Sequence, residues 1–314
     1  MRVGLLFPTL EMGSDMGGIR DYIETVEALG YHHLLVPDHV MGAGLGTRPD
    51  WNGPYDYTCP FHEPFVLFGF MAGITTRLEM ATGVLILPQR QTALVAKQAA
   101  QIDVLSKGRL RLGVGIGWNA VEYESLGKNF HDRGKRFEEQ IDLLRQLWGS
   151  DLITFNGKYE QVIDAGINPL PLKKSVPLWV GAEARVAMQR AARVGDGWFP
   201  MFAASEKGAA RLNLMRDYLR QANRGITDFG PKFGIEAFVH AGRGFSSNVP
   251  AYQKDPQFQS NNPGPQEWAR EAEWWQANGA THISLNVMNA DLQGPKAHID
   301  LVRKFAGAMA LKAA

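Results

Sequence analysis

Cys59 is the only cysteine among the 314 residues. That excludes an intrachain disulfide and a thiolate metal site, and no metal site is expected. Its aromatic, Pro-rich surroundings suit an inert packing or surface thiol better than a nucleophile. Charge excess is also lacking: 33 Lys and Arg against 32 Asp and Glu leave +1. With neither a basic surplus nor an acidic tail, nucleic acid is not an expected partner. No apolar run approaches the roughly 18 residues of a membrane span. The chain starts directly in Val3-Gly4-Leu5-Leu6-Phe7, without a basic segment or cleavage site. A cytoplasmic protein, away from membranes, is therefore expected.

What the chain has is alternation. Short apolar runs read as buried strands at Val3 to Phe7, His33 to Val36, Leu78 to Leu87, Arg109 to Val114, Pro177 to Gly181, Asp196 to Met201, Gly234 to Ala241 and His282 to Val287. Helical spacing lies between them. Ile19, Tyr22, Ile23, Val26 and Leu29 share one face before Gly30, and Phe137, Ile141, Leu144 and Trp148 share another. A small hairpin is predicted around Ile153 to Gln161. Eight strands, each followed by a helix or a loop and a helix, predict an α/β fold: one (β/α)₈ TIM barrel over 1–314. Long insertion loops follow strand 2 (Met41 to His62) and strand 7 (Phe245 to Pro265), and such loops are usually functional.

In this architecture the loops after the strands build the site. They supply Phe7-Pro8, Pro37-Asp38-His39, Thr82-Gly83-Val84, Gly115 to Asn119, Gly181-Ala182-Glu183, Trp198-Phe199 and Asn286-Val287-Met288. Glycine, aromatics and amides dominate, and carboxylates are few. The set does not suit a paired-acid hydrolase; it suits a flat aromatic cofactor against apolar walls. A strand ending in Gly115 and Gly117 is expected to let such a ring approach its backbone. G-x-G-x-G is not the dinucleotide fingerprint, because its third glycine comes one residue early.

The motifs DH at 38–39, ATGV at 81–84, LVAKQAAQIDVLSKGRLRLGVGIGWN, YESLGKNFHDRGKRFEEQ and WVGAEARVAMQRAARVGDGWFP together resemble the luciferase-like monooxygenase superfamily. Within it they resemble the coenzyme F-420-dependent oxidoreductase branch, from Met1 to about Met201. The resemblance implies a catalytic His39 that donates a proton or hydrogen bond near the reactive edge of a flavin or deazaflavin. It implies cofactor contacts from Asp38, His39, Thr82, Gly83, Val84, Gly115, Gly117, Asn119, Gly181, Ala182 and Glu183, with a cis non-prolyl peptide in the Thr82-Gly83-Val84 bulge. By residue type alone, His39 reads equally as a structural histidine, Gly83 as an ordinary bulge and Asn119 as a helix N-cap.

The chain also departs from the family pattern. Many members carry Ser or Thr where Ala182 and Glu183 stand, so a phosphate there would rest on backbone amides at a helix N-terminus. Arg133 and Arg136 read either as partners of an anionic tail or as solvated helix-entry charges. Trp118 replaces a glutamate found in relatives that oxidise sugar phosphates, and no acid is seen to replace it. The expected activity is hydride transfer between F-420 and a small organic substrate. The alternative is an FMN-dependent monooxygenase supplied with reduced FMN by a partner reductase, and a non-catalytic flavin-binding barrel is the rival of another class. A homodimer is implied by the resemblance; Ala93, Ala96, Ala99 and Ala100 are small residues that suit either close helix contact or packing on the barrel.

Overall fold

The computed structural model describes residues 1–48, 51–242 and 264–313. Its strands are β1 (Arg2–Leu6), β2 (His33–Val36), β3 (Glu79–Thr82), β4 (Leu85–Ile86), β5 (Leu110–Gly115), β6 (Ile153–Asn156), β7 (Gln161–Ala165), β8 (Leu178–Gly181), β9 (Gly197–Phe199), β10 (Gly234–His240) and β11 (His282–Asn286). Hydrogen bonding runs β3-β2-β1-β11-β10-β9-β8-β5-β4, and a β3–β5 pairing closes the ring. Every pairing in it is parallel. Because β3 and β4 are two halves of one stave, this is an eight-staved parallel barrel. The expected second long loop, Phe245 to Pro265, lies outside the described residues up to 263.

The predicted continuous strand from Leu78 to Leu87 is broken. Ala81 pairs with Arg111 and Leu85 with Val114. Four steps on this stave therefore oppose three on β5, a one-residue bulge. The extra residue falls at Gly83–Val84, whose peptide bond is cis. The apolar run carries no sign of this beyond its glycine, whereas the family resemblance implies both the bulge and the cis peptide at this place. The hairpin β6–β7 lies outside the barrel and extends four residues past Gln161, to Ala165.

The helices form where caps and apolar faces coincide. Asp15 accepts from the Gly18 N–H and starts Met16–Ala28, which buries Ile19, Tyr22, Ile23 and Val26. Helix Arg133–Gly149 buries Phe137, Ile141, Leu144 and Trp148, each contributing on the order of 2 kcal/mol through apolar burial. Its Trp148 indole N–H donates to the Ala96 carbonyl at 3.0 Å. Ala96, Ala99 and Ala100 are fully buried within this one chain, so they are not available to a second copy. No described helix is long and apolar enough to cross a membrane.

Inside the barrel the side chains lie in layers. The middle is apolar: Leu6, Leu35, Ala81, Trp179, Phe199 and Met288. Below it, toward the strand N-termini, lies a buried charged layer. Arg111 donates to Glu79 at 2.7 Å and Glu236 at 2.9 Å, and its guanidinium lies 4.3 Å from the Trp179 ring centre. The buried strands were expected to be nearly all apolar. Pairing and hydrogen bonding make the exception tolerable, and removing one partner of such a pair costs about 3–5 kcal/mol.

Outside the barrel, in helix Pro265–Ala277, burial pushes the Glu271 carboxyl up from 4.5 to about 7. The folded chain then holds a proton that the unfolded chain releases. This contribution is complete below about 4.5 and is lost as pH rises through about 7. Glu271→Gln is accordingly expected to raise the melting temperature at pH 8 and change it little at pH 4.5. One pKa unit corresponds to about 1.4 kcal/mol, which caps the gain at roughly 3 kcal/mol. Equal shifts at both pH values would remove the carboxyl's titration from the explanation.

Candidate active site

A cavity of about 600 Å³ opens at the C-terminal ends of the strands. Among the described residues six of the eight staves contribute to its wall; β1 and β11, with the expected Asn286-Val287-Met288, do not. Pro37, Asp38 and His39 follow β2; Gly83, Val84 and Ile86 flank the break between β3 and β4; Gly115 to Trp118 follow β5. Gly181, Ala182 and Glu183 follow β8, Phe199 to Phe202 follow β9, and Phe238 and His240 end β10. Asn52 to Tyr55, from the long loop after β2, complete the wall. No lysine or arginine is among these residues.

His39 holds the most chemically capable position. Its Nδ1 lies 3.0 Å from a Glu122 carboxylate oxygen, whose side chain is 1% exposed. The other Glu122 oxygen accepts the backbone N–H groups of Val40 at 2.6 Å and Met41 at 3.2 Å. A carboxylate only accepts, so Nδ1 carries the proton and Nε2 presents its lone pair. Nε2 has no protein partner among the described residues, and the ring lines the cavity. Phe61, Tyr55 and Trp118 surround the imidazole with ring centres at 4.7, 5.2 and 5.5 Å. No acid is expected here from the sequence. Glu122 lies in the first turn of helix Ala120–Ser125, one turn beyond the glycine loop, and AVEYES reads as an ordinary solvated helix start.

Asp38 lines the cavity, but its carboxylate is engaged elsewhere. It accepts from Arg90 at 2.6 Å and 3.3 Å and from the Ile86 N–H at 2.9 Å. Asp38 thus ties the loop after β2 to the stave that carries Val84. Thr82 and Asn119 are not on the cavity wall. The Thr82 hydroxyl donates to the Gly113 carbonyl at 2.6 Å. Asn119 accepts from the Val121 N–H at 3.0 Å as an N-cap and donates to Met41 O at 3.3 Å.

The glycines make room chiefly for protein. A Cβ on Gly115 would meet Val84 Cγ2 at 2.7 Å, and one on Gly117 would meet Ile86 Cγ2 at 2.7 Å. A Cβ on Gly181 would stand 3.3 Å from both Val84 methyls. Val84 is thus seated between the ends of β5 and β8 and forms part of the cavity wall. Gly115, Gly117 and Gly181 themselves border the cavity, as expected of glycines that open the backbone to a ligand, and they also seat Val84 and Ile86 against the strand ends.

At the β8 turn the Ala182 carbonyl accepts the Trp198 indole N–H at 2.7 Å. The Glu183 carboxylate turns to Arg211 at 3.1 Å on the surface. Helix Arg185–Val194 follows, with no side chain capping its first turn, so backbone N–H groups there are open to an anion. Burial pushes the His240 imidazole down to about 4, so it is uncharged at neutral pH. Arg133 packs on Phe130 and donates to its carbonyl, and Arg136 lies by Asp132 and Tyr159. Neither arginine is on the cavity wall.

The fold and site can be set beside known proteins. A Mycobacterium tuberculosis protein of uncharacterised function is 37% identical over 180 residues, 56% of this chain and 62% of the relative. The FMNH(2)-dependent dimethylsulfone monooxygenase of Pseudomonas fluorescens is 29% identical over 243 residues, 76% of this chain and 62% of that protein. The alignments thus span less than two thirds of either relative. An F420-dependent secondary alcohol dehydrogenase in complex with an F420-acetone adduct shares the fold with a TM-score of 0.76 at 18% identity, over 97% of this chain and 98% of that one. The monooxygenase RslO1 from Streptomyces bottropensis does so with 0.76 at 18% identity, over 99% of both chains. The luciferase-like monooxygenase family itself matches residues 1–254, a span that includes the His39 loop, the interrupted stave and the β8 turn, and this chain belongs to that family.

Proposed function

We propose that this chain is a coenzyme F-420-dependent oxidoreductase passing a hydride between the deazaflavin and a small organic substrate. The observation that carries the cofactor choice is the wall itself: it offers no lysine, arginine or hydroxyl at the β8 turn, among the described residues. On the wall there a phosphate dianion, as FMN carries, would meet backbone amides and the Glu183 carboxylate, with Arg211 already paired to that carboxylate. The residues fit a deazaflavin ring in other respects. The volume lies within the range of cofactor sites, Val84, Phe199 and Phe238 give apolar walls, and His39 presents one proton-active nitrogen.

When bound, a deazaflavin supplies a carbon centre that accepts or returns two electrons as hydride and reacts poorly with oxygen. The protein's share is orientation, water exclusion and the proton. His39 Nε2 takes a proton from a substrate that loses hydride and returns it in the reverse direction. Glu122 steadies the imidazolium formed in between. The family resemblance supports contacts from Asp38, Gly83, Val84, Gly115, Gly117 and the 181–183 turn, all of which border this space; it also assigns Thr82 and Asn119, which stand behind the wall.

The FMN monooxygenase reading keeps one point in its favour, the FMNH(2)-dependent relative that aligns over 76% of this chain. Titration with oxidised F-420 and, separately, FMN tests the choice, because Trp118 on the cavity wall reports through its fluorescence. Tighter F-420 binding is expected, and tighter FMN binding would overturn the proposal. Glu183→Ser should leave F-420 affinity unchanged and raise FMN affinity about tenfold, the worth of one hydrogen bond to a charged group. Unchanged FMN affinity would show that this turn does not set cofactor choice.

A further inference from the structure

We propose that the end of the barrel opposite the cavity holds a site for one divalent transition metal, with His32, His33 and Glu79 as ligands. Nitrogen and oxygen donors of these three residues lie within 4.8 Å of one another. The two Nδ1 atoms are 3.4 Å apart. Tetrahedral zinc with bonds of about 2.0–2.1 Å places neighbouring donors about 3.3–3.4 Å apart. The pair already has the edge length of a shared coordination sphere.

The surroundings orient His33 as a ligand. Its Nε2 lies 3.1 Å from Glu236 and 2.9 Å from the Ser284 hydroxyl. A carboxylate beyond one ring nitrogen fixes the proton there and leaves the lone pair on the other, an arrangement that holds metal-bound histidines. Glu79 gives one oxygen to Arg111, and its second oxygen has no protein partner among the described residues. Among the described residues Arg111 is the cation paired with Glu79 and Glu236, and Arg2 also acts on His32; the two carboxylates balance these two cations, so the site rests on its donor geometry and not on net charge.

His32 is half-buried and the Glu79 side chain is 19% exposed, which supplies an entry path and the freedom to close the remaining distance. The donors are nitrogen and oxygen, so cysteine count does not bear on the site, and the set suits zinc or cobalt better than calcium or magnesium. Its position also gives the metal a role. His32 and Glu79 lie at the starts of neighbouring staves, joined by the Glu79 N–H to the His32 carbonyl at 2.9 Å. In such barrels the chemistry sits at the opposite end, so a metal here would join neighbouring staves and add stability.

The test is titration of the tag-free, metal-stripped chain with Co²⁺, followed by its visible absorption and by displacement with Zn²⁺. One equivalent is expected to bind, and His32→Asn and Glu79→Gln should each weaken binding by at least about tenfold. Zn²⁺ should also move the ring NMR signals of His32 and His33 in the wild-type chain while sparing His62 and His131, a readout that needs no variant to fold. Absence of saturable one-to-one binding, wild-type affinity in folded His32→Asn, or unmoved His32 and His33 signals would each overturn the site; the close contact would then be a single N–H···N hydrogen bond.

Discussion

His39→Ala is expected to lower turnover about 10²–10⁴-fold, the usual worth of a positioned acid–base group, while deazaflavin affinity changes no more than about threefold. The asymmetry follows from the geometry. His39 adds one edge to an apolar wall made by many residues, so the cofactor loses little contact when the ring is removed. The proton site, by contrast, has weaker rivals among the described residues of the wall: the Asp38 carboxylate is held by Arg90, Glu183 turns to Arg211, and burial pushes His240 down to about 4, which leaves it a poor base. Glu122→Gln separates the chemical from the structural role. The amide retains the shape and can still accept from Val40 and Met41, but it removes the charge that supports an imidazolium at 3.0 Å. Turnover should fall about 10–100-fold, with the pH dependence of kcat displaced and KM little changed. Equal losses of affinity and turnover in His39→Ala would reduce the residue to part of the wall.

The architecture was legible because a barrel of buried parallel staves leaves apolar runs that periodicity detects, and because helix ends such as Gly30, at φ +83, announce themselves. The runs conceal what happens inside them. ATGVLIL reads as one strand, yet the bulge at Gly83–Val84 splits it and aims Val84 at the cavity. LRLGVG and GIEAFVH each carry one charge in a hydrophobic run. Arg111 and Glu236 were signals of a polar layer that only the closed ring could bring together, since 125 residues separate them. Glu122 was missed for a related reason. Its partner His39 is 83 residues away, and nothing local distinguishes a catalytic support from a solvated helix charge. Asn119 was legible as either a cap or a ligand contact, and its side chain caps the helix.

Gly115→Ala should weaken cofactor binding at least about tenfold without unfolding the barrel, and Val84→Ala in the same chain should recover most of that loss. The added methyl would stand 2.7 Å from Val84 Cγ2, closer than carbon atoms approach. Toward β8 the only room is that left by the missing Cβ of Gly181, which would stand 3.3 Å from both Val84 methyls. The remaining direction is into the cavity, where the ring is proposed to sit. Overpacking of this kind costs about 1–3 kcal/mol, which a domain this size tolerates, so the loss should appear as affinity more than as melting temperature. Trimming Val84 to alanine deletes the colliding methyl and returns the wall to its place. The outcome discriminates between two uses of the glycine loop. If the double variant binds as poorly as Gly115→Ala alone, the glycine serves a ligand that approaches β5 directly; recovery means that Gly115 exists to seat Val84, and that the cavity's shape is set by one side chain held between two strand ends.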